Sequence, residues 1–245
     1  MPSDLFRRLP LLLARLPLLP TACALCGAGG DPLCTGCRAQ FFTAAPPRCR
    51  QCAIALSELT STSDALCGQC LKSPPAFDAT IVAADYAPPL DQLVLALKFG
   101  HRLALAPLLA RLLHQALPTG VDLPRLLLPV PLAPRRLALR GFNQALEIAR
   151  PLARLLAVPL EPQLALRVRE TEAQTTLSPR QRRRNIRGAF TLDPAAAAAR
   201  LRDRHVGIVD DVITTGATAG ELAATLKRFG AARVTNLVFA RTPPH

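Results

Sequence analysis

Residues 206–218 form a short segment in which an apolar run, two acids and a hydroxyl-rich turn follow one another. The acids are Asp210 and Asp211, and the turn reads Thr214-Thr215-Gly216-Ala217-Thr218. Successive backbone N–H groups around a glycine can form a nest for an anion, and threonine hydroxyls add further donors. Carboxylates accept hydrogen bonds from vicinal hydroxyls, and they also support Mg²⁺ held by a pyrophosphate. The segment therefore predicts a site for a phosphorylated sugar, with the phosphate on the turn and the hydroxyls on the acids.

The same segment predicts the elements that position these groups. The apolar run over 206–209 favours a buried parallel strand that ends at the acid pair. A helix is predicted over 219–229, with Thr218 as its N-cap and Glu221 completing a capping box. The N-terminus of that helix offers free N–H groups and a partial positive charge, which favour an anion. The segment differs from a Walker loop, because it lacks the Gly-Lys-Ser/Thr sequence.

All eight cysteines occur as four Cys-x-x-Cys pairs within the first 70 residues. Each such turn sets two thiolates on one side of a knuckle, and two knuckles complete a zinc tetrahedron. Pairing in chain order predicts two structural zinc sites, although an interleaved pairing also fits the sequence. Because a disulfide scaffold would need export, the zinc interpretation implies a reducing, cytoplasmic compartment. The predicted ligands are Cys23, Cys26, Cys34, Cys37, Cys49, Cys52, Cys67 and Cys70.

The chain carries a formal net charge of +13, and the excess is uneven. Residues 81–245 contain 23 Lys/Arg against 12 Asp/Glu, and residues 135–190 contain twelve Arg against four acids. This excess favours phosphate, pyrophosphate or nucleic acid as a partner, although a basic soluble surface is the alternative. Lys98 ends a predicted helix, so it contacts either an anion or the negative end of the helix dipole. The candidate anion ligands are Arg135, Arg136, Arg140 and Lys98.

The polar, arginine-rich segment 170–188 has weak periodicity and predicts a flexible loop. Its arginines are candidates to contact an anionic ligand. A groove for single-stranded DNA is the rival use, but the aromatic side chains that stack bases are nearly absent there. These candidates are Arg180, Arg182, Arg183, Arg184 and Arg187.

Strands and helices that alternate along the second part of the chain predict an α/β fold with a doubly wound, mostly parallel sheet. Ser73-Pro74-Pro75 marks the boundary with a small N-terminal double zinc-ribbon module. The predicted strands cover 79–86, 126–130, 163–169, 206–209 and 234–240, and the predicted helices cover 89–99, 103–117, 143–156 and 219–229. Asn143 is expected to cap the helix over 143–156 rather than to contact a ligand. The predicted division is an N-terminal amphipathic helix in 1–20, a double zinc ribbon in 21–75 and the α/β domain in 76–245.

The Leu-rich run over residues 9–19 is the main candidate for a membrane or export segment. It contains Pro10, Arg15 and Pro17, which suit neither a membrane span nor a signal sequence. We therefore expect a short amphipathic helix on the body of the protein and no transmembrane segment. A weak membrane or partner contact is the alternative.

The segment 206–218 resembles the loop of type I phosphoribosyltransferases that binds 5-phosphoribosyl 1-pyrophosphate (PRPP). Further strings in the same order resemble the ComF/GntX family over residues 20–242: the cysteine pairs, Leu97-Lys98-Phe99-Gly100 and Pro129-Val130-Pro131-Leu132, then Arg140-Gly141-Phe142-Asn143-Gln144 and Arg183-Arg184-Asn185-Ile186-Arg187-Gly188-Ala189-Phe190. The resemblance implies a type I phosphoribosyltransferase-like domain behind a double zinc ribbon. It also implies an association with DNA uptake in competent bacteria or, in other members, with gluconate utilisation.

The resemblance assigns roles to the residues of the segment. Asp210 and Asp211 become ribose contacts, while Thr214, Thr215, Gly216, Ala217 and Thr218 become contacts of the 5-phosphate. The resembling fold also has a pyrophosphate loop at the position of 129–143. PRPP, with Mg²⁺, is the implied ligand, and single-stranded DNA and proteins of the competence machinery are candidate partners.

Three functions follow from these expectations. The first is Mg²⁺-dependent transfer of a phosphoribosyl group from PRPP to a nitrogen nucleophile. The second is a non-catalytic DNA- or nucleotide-handling protein that retains the PRPP site, and the third is a zinc-ribbon adaptor between proteins. The sequence ends a few residues after the last predicted strand. We therefore expect any acceptor-binding hood to come from 79–118 or from the zinc module.

Overall fold

The computed structural model describes residues 22–42, 46–57, 65–169 and 186–243 of the 245-residue chain. The predicted N-terminal helix lies outside the described residues, and so do Arg180, Arg182, Arg183 and Arg184 of the predicted flexible loop. The strands of the described part are β1 (Ala79–Asp85), β2 (Leu126–Pro129), β3 (Ala165–Arg167), β4 (Phe190–Leu192), β5 (His205–Ile213) and β6 (Arg233–Arg241). The helices are α1 (Thr35–Phe41), α2 (Gly68–Lys72), α3 (Asp91–Lys98), α4 (Ala106–Gln115), α5 (Pro134–Arg140), α6 (Gln144–Leu156), α7 (Pro194–Leu201) and α8 (Ala217–Arg228).

A four-stranded parallel sheet in the order β1-β6-β5-β2 forms the centre of the fold. Helices pack on both of its faces, because the strands are apolar on both sides. On one face, Leu109 of α4 and Ile148 of α6 share a core with Val209 of β5. On the other face, Leu222 of α8 shares a core with Ile208, the neighbour of Val209 in the strand. The predicted doubly wound α/β fold is confirmed.

The strand predicted over 163–169 does not join this sheet. The structure has a shorter strand there, β3, and pairs it antiparallel with β4 in a separate two-stranded sheet. Leu192 and Phe190 of β4 are buried in the core on the α8 face. The antiparallel pair therefore extends that layer of the fold and leaves the main sheet with four strands.

Strand β5 is longer than its apolar run indicates. It continues through Asp210 and Asp211 to Ile213, where the prediction had ended it at the acids. The cause is the parallel neighbour β6, whose backbone pairs with β5 up to the register Ile213↔Arg241. The acids thus project from an ordered strand rather than from a loop.

The predicted capping of α8 is wrong. The helix begins at Ala217, and the N-cap is Gly216 in the left-handed conformation with a φ of +75°. Thr218 therefore lies inside the first turn, and the Glu221 carboxylate accepts a hydrogen bond from the backbone N–H of Gly188 at 2.8 Å. By contrast, the Asn143 side chain caps α6, as predicted, by accepting from the N–H of Ala145 at 3.0 Å.

The region 129–143, expected as a loop, contains the helix α5. Pro134 occupies its first turn and Gly141 ends it with a φ of +78°, an arrangement that favours a short helix. The helix presents Arg136 and Arg140 on one side, four residues apart, while Arg135 is exposed. Of the three arginines expected to bind an anion together, Arg136 and Arg140 therefore share one side of the helix and Arg135 lies on another.

Gly207 lies where the sheet leaves no room for a side chain. A Cβ atom there would lie 2.5 Å from Cδ2 of Leu127 and 2.9 Å from Cγ of Pro124. We expect Gly207→Ala to lower the free energy of unfolding by about 1–3 kcal/mol, the usual cost of overpacking a core. Urea unfolding with zinc present measures the loss. Gly220→Ala is the matched control, because its Cβ would lie in ordinary contact, 3.9 Å from Phe77, within α8. An equal loss in both variants would contradict the steric explanation.

Candidate functional site

The eight cysteines form two separate clusters of four. Cys23, Cys26, Cys34 and Cys37 make the first, Cys49, Cys52, Cys67 and Cys70 make the second, and within each cluster all Sγ atoms lie within 4.8 Å of one another. The Sγ atoms of Cys26 and Cys34 are 3.7 Å apart, as are those of Cys52 and Cys67. A zinc tetrahedron with Zn–S bonds of about 2.3 Å has an edge of about 3.8 Å. The clusters therefore fit two structural zinc ions, and the pairing in chain order is confirmed.

The protein favours a thiolate in each cluster. Burial raises the pKa of Cys23, but backbone hydrogen bonds, led by those with Cys34 and Cys26, lower it overall to about 6. In the second cluster, burial again raises the pKa of Cys49, whereas backbone hydrogen bonds with Cys52 and Cys67 lower it to about 7. Burial raises the pKa of Cys37, Cys52 and Cys70, so that each cluster favours one thiolate by itself and zinc would displace protons from the other thiols.

The second cluster packs directly on the edge strand β1. The Thr80 hydroxyl donates to the carbonyl of Gln51 at 2.7 Å, and the Gln51 amide donates to the carbonyl of Phe77 at 3.1 Å. Arg48 forms an ion pair with Asp85 at 2.9 Å. The second ribbon is therefore a lateral extension of the sheet, attached at both ends of β1.

A polar cavity of about 520 Å³ opens at the carboxyl ends of β5 and β2. This is the edge at which ligands bind in parallel α/β sheets, at the point where the connections diverge. Its volume lies within the range of about 300–1,000 Å³ that is typical of small-molecule sites. The polar and charged residues that line it are Tyr86, Lys98, Arg136, Arg140, Gln144, Arg167, Asp210, Asp211, Thr214, Thr218 and Asn236.

The acid pair lies in this cavity with unequal surroundings. Asp211 is buried and forms an ion pair with Lys98, and its Oδ1 accepts from the amide of Gln144 at 3.4 Å. Burial raises the pKa of Asp211, but the Lys98 charge together with hydrogen bonds from Asp210, Lys98 and Gln144 outweighs burial and holds that pKa below the usual range. Burial raises the pKa of Asp210, and the neighbouring Asp211 charge raises it further. The two acids are therefore inequivalent, and Asp211 is the one that ionises more readily.

The turn after β5 also faces the cavity, with one exception. Thr214, Gly216, Ala217 and Thr218 line it, and the N-terminus of the twelve-residue helix α8 lies at its base. Gly216 has a left-handed φ, a backbone conformation that occurs in anion nests, and Phe77 packs close to its Cα, since a Cβ there would lie 3.3 Å from the ring. Thr215, also expected at the phosphate, is exposed and lines a second cavity instead. The two cavities share this turn.

The polar cavity is lined by four cationic side chains and by two acids. Lys98, Arg136 and Arg140, expected from the sequence, are three of them, whereas Arg135 does not line the cavity. The fourth is Arg167 on β3, which is 7% exposed. Burial lowers the pKa of Arg167 to about 10 and Arg136 lowers it further, while Asp210 acts in the opposite direction. The balance of charge favours an anionic ligand.

Sequence reasoning missed Arg167, Gln144, Phe99 and Tyr86 as cavity residues. Gln144 and Phe99 occur in the motifs Arg-Gly-Phe-Asn-Gln and Leu-Lys-Phe-Gly, so the motifs themselves held the signal. Arg167 carried no such signal, because the alternation of Leu164, Leu166 and Val168 places it on the polar side of the predicted strand, whereas in the structure Leu166 and Val168 are exposed and Arg167 is buried.

The second cavity, of about 360 Å³, separates the second cysteine cluster from the start of α8. Arg187, the one described arginine of the predicted flexible loop, lines this cavity and not the polar one. Arg241 at the end of β6 extends from the second cysteine cluster to the turn that follows β5. Its Nε donates to the carbonyl of Cys52 at 3.0 Å, and its Nη1 donates to the carbonyls of Ile213 and Thr214. One buried side chain thus connects a cysteine knuckle to the turn after β5.

These features define a class of protein, a parallel α/β domain with a charged cavity that carries two zinc ribbons on its edge. A family model for the double zinc ribbon domain matches residues 16–71. The chain is 41% identical over 199 residues to the DNA utilization protein YhgH of Escherichia coli O157:H7, covering 79% of this chain and 84% of that protein. It is 36% identical over 203 residues to competence protein F of Haemophilus influenzae, covering 81% and 85%. The chain therefore belongs to the family of these proteins, the ComF/GntX family.

Solved structures give a more distant likeness. The chain is similar to adenine phosphoribosyltransferase from Thermoanaerobacter pseudethanolicus, with 19% identity over 58% of this chain and 83% of that chain and a TM-score of 0.35. It is also similar to the glutamine PRPP amidotransferase from B. subtilis, with 19% identity over 55% of this chain and 25% of that chain and a TM-score of 0.34. Within the residues described, no helix has the length and apolar character needed to cross a bilayer.

Proposed function

We propose that the polar cavity binds a ribose 5-phosphate, with PRPP as the ligand that fits it best. The observation that carries the proposal is the meeting of three groups in one cavity: the acid pair, the turn that leads into α8, and the four cations. The turn is suited to the 5-phosphate, since it combines threonine hydroxyls with the backbone N–H groups and partial positive charge of a helix N-terminus. Beside it, the acids are suited to the ribose hydroxyls.

In this proposal the cationic wall receives the pyrophosphate. Arg136, Arg140 and Arg167 supply guanidinium groups, which bind phosphate oxygens in a two-pronged geometry. The carboxylate oxygens of Asp210 and Asp211 are hard donors of the kind that Mg²⁺ prefers, and they would support the ion beside the pyrophosphate. When bound, Mg²⁺ would neutralise charge on the leaving group. Lys98 holds Asp211 ionised, so that this acid accepts and does not donate.

The chemistry that this arrangement supports is phosphoribosyl transfer. The bond between the anomeric carbon and the pyrophosphate oxygen would break, and pyrophosphate would leave with the electron pair. A nitrogen nucleophile would form the new bond to the anomeric carbon. The cations of the cavity would stabilise the charge that develops on the leaving group.

A second candidate is a non-catalytic role in handling DNA or nucleotides. The names of the relatives, DNA utilization protein and competence protein F, favour it, and so does the net charge of +13. In this candidate the ribose-phosphate site serves to anchor or sense a nucleotide. We also propose the division in which the double ribbon of 21–75 supports the ligand-binding domain of 76–245, with the zinc module and the domain in a cytoplasmic, reducing compartment.

Calorimetric titration with PRPP and Mg²⁺ tests the site. We expect Asp210→Asn to weaken binding by about 10- to 100-fold, because a hydrogen bond to a charged group contributes about 1.5–3 kcal/mol. Asp210 is the better choice of acid to change, since Asp211→Asn would also break the ion pair with Lys98. Asp203→Asn, at an exposed position away from the cavity, is the matched control and should bind as the wild type does.

The same protein separates the two candidate functions. Absence of PRPP binding by the wild type would overturn both of them. Binding without release of pyrophosphate, over a panel of nitrogen nucleophiles, would count against transfer and leave the anchoring role.

A further inference from the structure

One wall of the polar cavity carries exposed apolar side chains, which a sugar phosphate alone would not require. Leu95 of α3 and Phe99, which follows the helix, line the cavity and are 40% and 67% exposed. Among the phenylalanines that the structure describes, Phe99 is the one with an exposed ring. Scattered surface apolar residues are normal, but these two lie one helical turn apart in a cavity that also holds four cations and two acids.

The exposed ring is held beside a planar cation. The guanidinium carbon of Arg140 lies 5.5 Å from the centre of the Phe99 ring, within the range of a cation–π contact. Arg140 in turn donates to the Oε1 of Gln144 at 2.5 Å, and the amide of Gln144 donates to Asp211. The ring and the guanidinium are therefore fixed relative to the acid pair through one glutamine, and most of the ring surface faces solvent.

We infer that the Phe99 ring, held in place by Arg140, is a stacking surface for a planar nitrogen heterocycle attached to, or about to be joined to, the ribose. The inference rests on the proposed ribose 5-phosphate site and names what lies next to it. With the phosphate on the turn and the hydroxyls on the acids, the remaining contacts of the ligand fall on the wall that holds Leu95, Phe99 and Arg140. An aromatic ring beside a guanidinium plane is the surface on which proteins stack nucleobases, and it accepts any base because every base has a π-face.

The aromatic wall also supplies the acceptor contact that we expected from residues 79–118. Tyr86, Leu95 and Phe99 all belong to that segment and all line the cavity. An aliphatic acceptor would not explain an aromatic ring paired with a guanidinium. A dry protein interface is also disfavoured, because the same wall carries Lys98, Arg136 and Arg140.

Titrations with ribose 5-phosphate and adenosine 5′-monophosphate, which differ by the base, test the inference. We expect the wild type to bind the nucleotide at least about tenfold more tightly, the size of one base–aromatic stack. Phe99→Ala should remove that increment and leave the ribose 5-phosphate affinity unchanged, whereas Phe99→Trp should keep it. Leu139→Ala is the control, because Leu139 is 79% exposed on α5 and lies outside the cavity lining.

A single-stranded oligodeoxyadenylate distinguishes the source of the base. Loss of oligonucleotide affinity in Phe99→Ala by the same factor as for the monophosphate assigns the surface to strands as well as to nucleotides. Loss for the monophosphate alone assigns it to free nucleotides or acceptor bases. Equal affinity of the wild type for the two small probes, or an unchanged nucleotide affinity in Phe99→Ala, overturns the inference. Failure of ribose 5-phosphate to bind at all instead overturns the proposed site, and the inference with it.

Discussion

Replacing Cys49 with serine is expected to release the zinc ion of the second cluster and to unfold the ribbon around it. Cys49 is fully buried, and the segments that form this ribbon are too short to bury a core of their own. Zinc binding to such modules contributes about 10–16 kcal/mol of apparent free energy, which is largely the free energy of their folding. Loss of one thiolate therefore removes most of what holds this ribbon together.

The effect of Cys49→Ser should extend to the ligand cavity. The second ribbon hydrogen-bonds to β1 through Gln51, and the carbonyl of Cys52 accepts from Arg241, which also donates to Ile213 and Thr214 at the turn after β5. We expect elemental analysis to find two zinc ions per chain in the wild type and one in the variant. The variant should also melt at a lower temperature and bind PRPP more weakly.

The matched variant for this experiment is Cys26→Ser in the first cluster. Cys26 is exposed, and its cluster packs against the core on the face that holds α4. This variant should also lose one zinc ion, but its affinity for PRPP should remain close to that of the wild type. The expectation fails if freshly reduced wild type holds no zinc, or if both variants weaken PRPP binding equally.

The parts of the molecule that the sequence predicted are those decided by local pattern. Four Cys-x-x-Cys pairs within the first 70 residues leave few alternatives to two metal clusters, because knuckle spacing is a property of a few adjacent residues. The strands over 79–86 and 234–240, and the helices over 89–99 and 143–156, follow from runs and periods of apolar residues. The Asn143 cap is equally local.

The errors concern features that distant residues decide. The extent of β5 depends on its pairing with β6, and the start of α8 depends on Gly216 beside Phe77, a residue far away in the sequence. The buried position of Arg167 depends on the antiparallel pairing of β3 with β4. The helix α5 is different, since Pro134 at its start and Gly141 at its end were visible signals. A loop was expected there because the resemblance placed one, and the local signals should have had greater weight.

Arg241→Met is expected to destabilise the protein by about 2–5 kcal/mol and to weaken binding of ribose 5-phosphate. The Arg241 side chain is buried and donates to the carbonyls of Cys52 at 3.0 Å, of Ile213 at 3.2 Å and of Thr242 at 3.0 Å, and also to that of Thr214. Methionine has a similar length but no donor, so these buried carbonyls would lose their partner. Each unsatisfied buried group costs about 1–3 kcal/mol.

The affinity should fall along with stability because of where these carbonyls lie. Ile213 ends β5 and Thr214 begins the turn proposed to hold the 5-phosphate, whereas Cys52 belongs to the second zinc cluster. A guanidinium that bonds to both fixes the turn against a rigid metal knuckle, and preorganised donors bind anions better than mobile ones. Arg241→Lys keeps the charge but offers no planar set of donors, so we expect an intermediate loss.

Arg233→Met is the control that separates this role from a general effect of charge. Arg233 begins the same strand at its opposite end, is partly exposed, and contacts Asp122 at 3.1 Å. An exposed ion pair of this kind contributes about 0–1 kcal/mol, so this variant should unfold and bind nearly as the wild type does. Urea unfolding and calorimetry, both with zinc present, measure the two quantities. If Arg241→Met bound ribose 5-phosphate at full strength while folded, the zinc knuckle and the turn would be independent, and Arg241 would serve stability alone.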